Sequence, residues 1–259
     1  MLDNRKNQPH HVLILGCGRS GTSIFGEFFQ HLTPYQYFSE PPYAALKQMD
    51  FSKPMAIKVP AVSQEFPPTE GLSFPLSDLL KTMPQPLTIF WQVRHPLDAI
   101  CSLKVGISKN WGHHPRPLDW RNWLDQPLIK QCAHHWNYLN TVGYEKVADL
   151  VHLSKFEKAI LDTKNFADRV CKLVNVDAER EKGNIEEWCA RVQNTNNSKF
   201  VEAATSRAYS TKDHRVKVGR WKENMSKEEL EMVIPMIKDT ALKFGYDLSS
   251  NFPLLDKFQ

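Results

Sequence analysis

The stretch HVLILGCGRSGTSIFGEFF, residues 11–29, decides the fold. Residues 12–15 are a short apolar run, residues 16–21 include Gly16, Gly18 and Gly21, and beyond Thr22 the apolar residues Ile24, Phe25, Phe28 and Phe29 recur at helical spacing. The pattern predicts a strand, a tight loop and a helix. A glycine-rich loop feeding a helix N-terminus aims several backbone N–H groups and the positive end of the helix dipole at one spot, which suits a phosphate or sulfate.

Three uses of such a turn differ in the residues they demand. A nucleotide triphosphatase needs G-x-x-x-x-G-K-[ST] with lysine on the β/γ-phosphates. Gly16 and Gly21 have that spacing, but Thr22 stands where the lysine belongs. An NAD(P)-binding oxidoreductase needs G-x-G-x-x-G after a strand and an acid about 20 residues on. Gly16-x-Gly18-x-x-Gly21 and Glu40 satisfy it literally, although so short a pattern discriminates little. Neither use accounts for Arg19, Ser20, Thr22 and Ser23. One fixed cation and three hydroxyls add donors to the backbone amides, as a tightly held phosphosulfate or phosphate requires.

Gly-Arg-Ser-Gly-Thr-Ser after a strand resembles the 5′-phosphosulfate loop of sulfotransferases that use 3′-phosphoadenosine 5′-phosphosulfate (PAPS), in the arginine-containing form of carbohydrate, tyrosine-protein and bacterial members. The resemblance implies an α/β, P-loop-like three-layer fold whose central, mainly parallel sheet is flanked by helices. It also implies PAPS as donor, adenosine 3′,5′-bisphosphate (PAP) as product, and cofactor contacts from Gly18, Arg19, Ser20, Gly21, Thr22 and Ser23.

Composition fits one such domain over residues 1–259, with residues 1–10 a polar tail. Hydrophobic residues make up 41% of 259, ample for a single α/β core. The net charge of +4 is mild and no run of like charges marks a nucleic-acid surface. Five cysteines without a C-x-x-C pair point to free thiols in a reducing compartment. Adjacent histidines at 10–11, 113–114 and 134–135 point in different directions and have no i, i+4 histidine partner, so no metal site is expected. Residues 12–15 fall far short of the roughly 18 apolar residues of a membrane span. Golgi members of the family carry an N-terminal anchor, and without one the expected location is cytoplasmic.

Further along, residues 33–42 end the first helix, and Pro41 and Pro42 hold the backbone out of helix around Glu40. A carboxylate in reach of an acceptor hydroxyl can take its proton, and Glu40 matches the glutamate that acts as base in arginine-type sulfotransferases. Residues 55–60 predict a buried strand carrying Lys58. A lysine buried unpaired is costly, which puts it at the strand's C-terminal end facing an anion or acid. The family analogue stabilises charge on the transferring sulfuryl group; a plain salt bridge is the simpler alternative. Residues 65–80 read as an irregular connection with room for one short helix.

Residues 87–93 predict the next strand, followed by Arg94 and a helix from about 97 to 105. Arg94 and Ser102 have the spacing of the 3′-phosphate pair of sulfotransferases, a guanidinium fork plus one hydroxyl. Residues 109–127, with Trp111, Trp120 and Trp123, read as a loop or short helices at the cleft, with packing on the next helix the simpler role for the indoles. Residues 129–146 predict a long helix and 149–153 a fourth parallel strand. Phe156-Glu157 resembles the family's Tyr-Glu pair, whose aromatic flanks the adenine. Helices are expected at 165–174 and 185–192, and a polar loop at 194–218 carries Arg207, Lys212, Arg215 and Lys217. Val-Gly-Arg-Trp-Lys at 218–222 resembles the segment that closes over the 3′-phosphate, with Arg220 as the candidate contact and Arg215 and Lys217 as alternatives. Ser226 reads as the N-cap of a closing helix, 227–244, and Gly245 as its C-cap.

The expected reaction is in-line transfer of a sulfuryl group to an acceptor hydroxyl, a carbohydrate favoured among small molecules and glycans. Glu40 is the base, and Arg19 and Lys58 stabilise charge. An oxidoreductase would leave Arg94 and Ser102 idle, and a non-catalytic nucleotide-binding protein would retain the same contacts. Nothing in the loops encodes the acceptor, and the oligomeric state is equally unread.

Overall fold

The computed structural model describes residues 8–60, 71–193, 214–215 and 217–248. Their elements run β1 (His11–Gly16), α1 (Thr22–His31), β2 (Gln36–Ser39), α2 (Tyr43–Leu46), β3 (Met55–Lys58), α3 (Leu76–Thr82), β4 (Leu87–Val93), α4 (Pro96–Ile107), α5 (Leu128–Tyr138), β5 (Val151–Lys155), α6 (Phe156–Leu161), α7 (Thr163–Leu173) and α8 (Lys182–Arg191). Two-residue strands β6 (Val192–Gln193) and β7 (His214–Arg215) pair in parallel, and α9 (Trp221–Asn224) and α10 (Lys227–Lys243) complete the order.

The main sheet has five parallel strands in the order β2-β3-β1-β4-β5. A strand buried on both faces must be apolar at successive positions, as residues 12–15 are. Val12 and Ile14 join a core with Phe25, Phe28 and Phe29 of α1, Phe166 and Val170 of α7, and Trp188 of α8. Leu13 and Leu15 face the opposite way, into a core with Leu97, Ile100 and Leu103 of α4, Trp136 of α5, and Ile234 and Ile237 of α10. Helices therefore cover both faces of the sheet. Among the described residues no helix is long and apolar enough to cross a membrane.

The structure departs from the sequence reading at three places. Residues 36–39 form a strand within the stretch taken only as the end of the first helix. Its four residues are half-exposed at the sheet edge and lack an apolar run, so β5 is the fifth parallel strand rather than the fourth, and it begins at Val151 rather than 149. The predicted helix 129–146 is α-helical only to Tyr138, and Leu139–Gly143 widen into a π turn. There Asn140 accepts from the Trp91 indole at 3.1 Å and donates to the Trp136 carbonyl at 2.9 Å. Holding a buried indole N–H of the sheet is a tertiary demand that helix periodicity does not carry. The loop residues Arg207 and Lys212, with most of 194–218 and part of 65–80, lie outside the described residues.

Helix α10 opens as its sequence predicts. Ser226 Oγ accepts from Glu229 N–H at 3.2 Å and Glu229 Oε2 accepts from Ser226 N–H at 3.1 Å, a reciprocal capping box. Ser226→Ala is expected to destabilise the protein by about 1 kcal/mol, read as a small fall in Tm with no change in ligand binding.

Candidate active site

The C-terminal ends of β1, β3 and β4 converge on one edge, where open α/β sheets place their ligands. Beyond β1, β2 and β3 the chain turns through a non-glycine residue of positive φ: Arg19 at 70°, Glu40 at 51° and Val59 at 36°. Each such residue costs on the order of 1–3 kcal/mol, and strain of this kind gathers where the surrounding structure holds a functional geometry. Three at one edge single it out as the candidate site.

The β1–α1 turn is compact. Ser20 N–H returns to the Cys17 carbonyl at 3.2 Å, and Gly21, at φ 88°, caps α1 without a side chain. A Cβ on Gly21 would lie 2.2 Å from Phe156 Cδ2, and one on Gly18 would lie 3.2 Å from His113 Nδ1. The loop is thus wedged between two rings. Ser20 is 0% exposed and its hydroxyl has no hydrogen-bond partner among the described residues, a donor whose burial needs an acceptor.

Two side-chain networks meet here. In the first, Lys58, the last residue of β3, donates from Nζ to Glu40 Oε1 at 2.8 Å and to Ser23 Oγ at 3.0 Å. The Lys58 side chain is 4% exposed and that of Glu40 53%, so the ammonium is buried and the carboxylate opens outward. In the second, Arg19 Nε donates to Ser102 Oγ at 3.1 Å, while Arg94 Nη1 donates to the Arg19 carbonyl at 3.3 Å and Nη2 to the Lys217 carbonyl at 3.2 Å. The structure therefore places Ser102 against Arg19. The Arg94 guanidinium lies 4.4 Å over the ring of Phe156. Phe156 is 1% exposed, so its ring supports Arg94 and Gly21 and shows almost no face to solvent.

Arg220 joins the same group, 6% exposed on the turn before α9. Burial, together with the charges of Arg94 and Arg220, lowers the Arg19 pKa to about 10, against the opposing pull of Glu40. Burial and Arg94 likewise lower that of Arg220. Like charges that depress one another's protonation form a standing positive field, and a polyanion between them relieves the repulsion. With the amides at the start of α1, this edge can hold two separate anionic groups.

Sequence reading missed Asp98, four residues after Arg94 on α4, and His113 over Gly18. The i, i+4 spacing of Arg94 and Asp98 is a signal for the first. His113 had none, because its neighbour Gly18 is 95 positions away in sequence. Glu157, noted only as half of an aromatic–acid pair, accepts from His95 N–H at 2.8 Å and from the Tyr246 hydroxyl at 2.7 Å, tying α4 to the chain beyond α10. The indoles behave as the simpler reading had them: Trp111 is buried, and Trp123 stacks on His134 of α5 at 4.0 Å.

The strand order separates the candidate folds. A dinucleotide-binding sheet, ordered 3-2-1-4-5-6, sets β2 beside β1 so that its terminal acid reaches the ribose. Here β3 intervenes and Glu40 is held by Lys58. The sequence matches no family model and no curated protein. Among solved structures, the chain is similar to the mouse sulfotransferase SULT7A1 complexed with PAP, with TM-score 0.56, 13% identity, and coverage of 92% of this chain and 86% of that one. It is similar to sulfotransferase STF9 from Mycobacterium avium, with TM-score 0.53, 10% identity, and coverage of 93% and 78%. The sulfotransferase domain of the curacin biosynthetic pathway gives TM-score 0.53, 12% identity, and coverage of 93% and 99%. At these identities the likeness is one of architecture, and the chain has the sulfotransferase fold.

Proposed function

We propose that this protein is a PAPS-dependent sulfotransferase, its described residues one catalytic domain, acting on a hydroxyl of a small molecule or glycan, with carbohydrate favoured. The observation that carries the reading is the cluster of Arg19, Arg94 and Arg220 around a glycine turn, beside an outward-facing Glu40 held by Lys58. A donor with one anionic group at each end uses every member of that cluster. The 5′-phosphosulfate takes the amides of residues 18–23 with the hydroxyls of Ser20, Thr22 and Ser23, and the 3′-phosphate takes Arg94, Ser102 and Arg220, with Phe156 beneath Arg94. The unpaired state of all five cysteines supports a reducing, cytoplasmic setting.

In the transfer step Glu40 accepts the acceptor's hydroxyl proton, the acceptor oxygen bonds to sulfur, and the bond from sulfur to the bridging phosphate oxygen breaks to release PAP. Arg19 and Lys58 stabilise the charge that collects on the sulfuryl and bridging oxygens. Positioning and electrostatics supply the rate, as in phosphoryl transfer.

A thermal-shift titration with PAP beside NAD, NADP, ATP and AMP tests the reading. Saturating PAP should raise Tm, since a ligand at 100 times its Kd contributes about 2.7 kcal/mol; a rise with NAD or NADP and none with PAP would reject it. Glu40→Gln should lower kcat by about 10²–10⁴-fold, the usual worth of a general base, while leaving PAP affinity intact, and unchanged turnover would remove Glu40 as base. Arg94→Ala should weaken PAP by about 2–3 kcal/mol, the scale of a lost charged hydrogen bond, and AMP far less; equal losses would take Arg94 off the 3′-phosphate.

A further inference from the structure

Asp98 is 0% exposed at the centre of the arginine cluster, and the transfer step above does not use it. Its Oδ2 lies 3.6 Å from Nη2 of Arg94, which sits between β4 and α4. Its hydrogen bonds go elsewhere. Oδ2 accepts from Gly219 N–H at 2.8 Å and Oδ1 from Trp221 N–H at 2.9 Å, both on the strap of residues 217–221. Arg94 supplies a third tie by donating to the Lys217 carbonyl of the same strap at 3.2 Å. His95 adds a fourth contact, its ring parallel to that of Trp221 with centroids 5.9 Å apart. Arg220 sits between the two anchored amides.

A buried carboxylate among guanidinium groups has two available roles, and they act on an anionic ligand in opposite directions. As a counter-charge it weakens the positive field, and removing it would tighten anion binding. As an anchor it holds the strap, and removing it would loosen Arg220 and weaken anion binding. The distances favour the anchor: 3.6 Å to Arg94 is outside hydrogen-bond range, whereas both oxygens make charge-assisted bonds to backbone N–H groups. A carboxylate is also the one side chain of this size that accepts at both oxygens.

We infer that Asp98 is a positioning residue that fixes the 217–221 strap across the end of α4, so that Arg220 and Arg94 close together on the 3′-phosphate of the nucleotide. The inference rests on the sulfotransferase reading and adds to it the group that assembles one of its two anion sites. Asp98 acts only through the strap and touches no reacting atom.

The test is Asp98→Asn, which keeps shape, removes the negative charge and turns one acceptor into a donor facing an N–H. Isothermal titration of wild type and variant with PAP and with adenosine 5′-phosphosulfate, which lacks the 3′-phosphate, separates the outcomes. The expected result is a PAP affinity lower by about tenfold or more, the scale of one lost charge-assisted hydrogen bond, with the 5′-phosphosulfate affinity within about twofold and the acceptor KM unchanged. Tighter PAP binding would make Asp98 a counter-charge, and equal loss of both ligands would make its role general to the fold; either overturns the inference. If wild type binds no PAP, the functional reading fails and this inference with it. Should Asp98→Asn not fold, Gly219→Ala perturbs the strap from the other side, because φ there is 81° while the added Cβ meets only Lys222 Cε at 4.0 Å. It should show the same selective loss, and an unselective one would count against the strap.

Discussion

Three guanidinium groups gathered at one buried edge repel one another, and much of the surrounding structure is organised to hold them there. Removing a charge from water costs several kcal/mol even after relaxation, and like neighbours add to that cost. The protein meets it with carbonyls, a hydroxyl, an aromatic face and the carboxylates of Asp98, Glu40 and Glu223. The Arg19 and Lys217 carbonyls and the Phe156 ring surround Arg94, Ser102 receives Arg19, and Asp98 lies between helix and strap. Few of these partners remove a positive charge, so the edge stays electropositive although it is packed. That combination of fixed geometry and unspent charge is what an anion site requires, since no reorganisation is left to be done when the ligand arrives.

The sheet makes this possible by dividing its strands lengthwise. Strands β3 and β4 carry an apolar stretch ahead of a polar C-terminal end: Met55 to Ile57 precede Lys58, and Ile89 to Trp91 precede Gln92 and, past Val93, Arg94. The apolar part is sealed by helices on both faces, which fixes the strands relative to one another. The polar part inherits that rigidity at no cost to the core. Gln92 and Ser154, register partners on β4 and β5, carry buried polar atoms with no partner among the described residues, so the polar zone extends beneath the glycine turn.

Much of this could be read from the chain. Residues 87–93 form the strand their apolar run predicts, because a strand buried on both faces leaves its signature in consecutive residues. The cost of burying Lys58 alone puts it at a strand end facing an anion or an acid, and in the structure Glu40 accepts from it. What stayed hidden depends on contacts between distant segments. Strand β2 has no apolar run because it lies at an edge, half-exposed. His113 meets Gly18, and Gly71 backs onto Gly143, through a fold that no local pattern encodes. The acceptor of the proposed transfer is hidden for another reason: a hydroxyl is a feature many molecules share, and selectivity resides in surfaces rather than motifs.

The left-handed residues at the sheet edge have a consequence for how this protein can change. Glycine at position 19 would release the backbone there and lighten the cluster by one buried cation, both gains in stability, and it would delete the cation nearest the turn. Position 40 poses the same choice, since its side chain is the carboxylate that faces outward. Under the proposed function, selection for thermal robustness and selection for turnover pull against each other at the same two codons, and variants improved for endurance alone should be sought away from this edge.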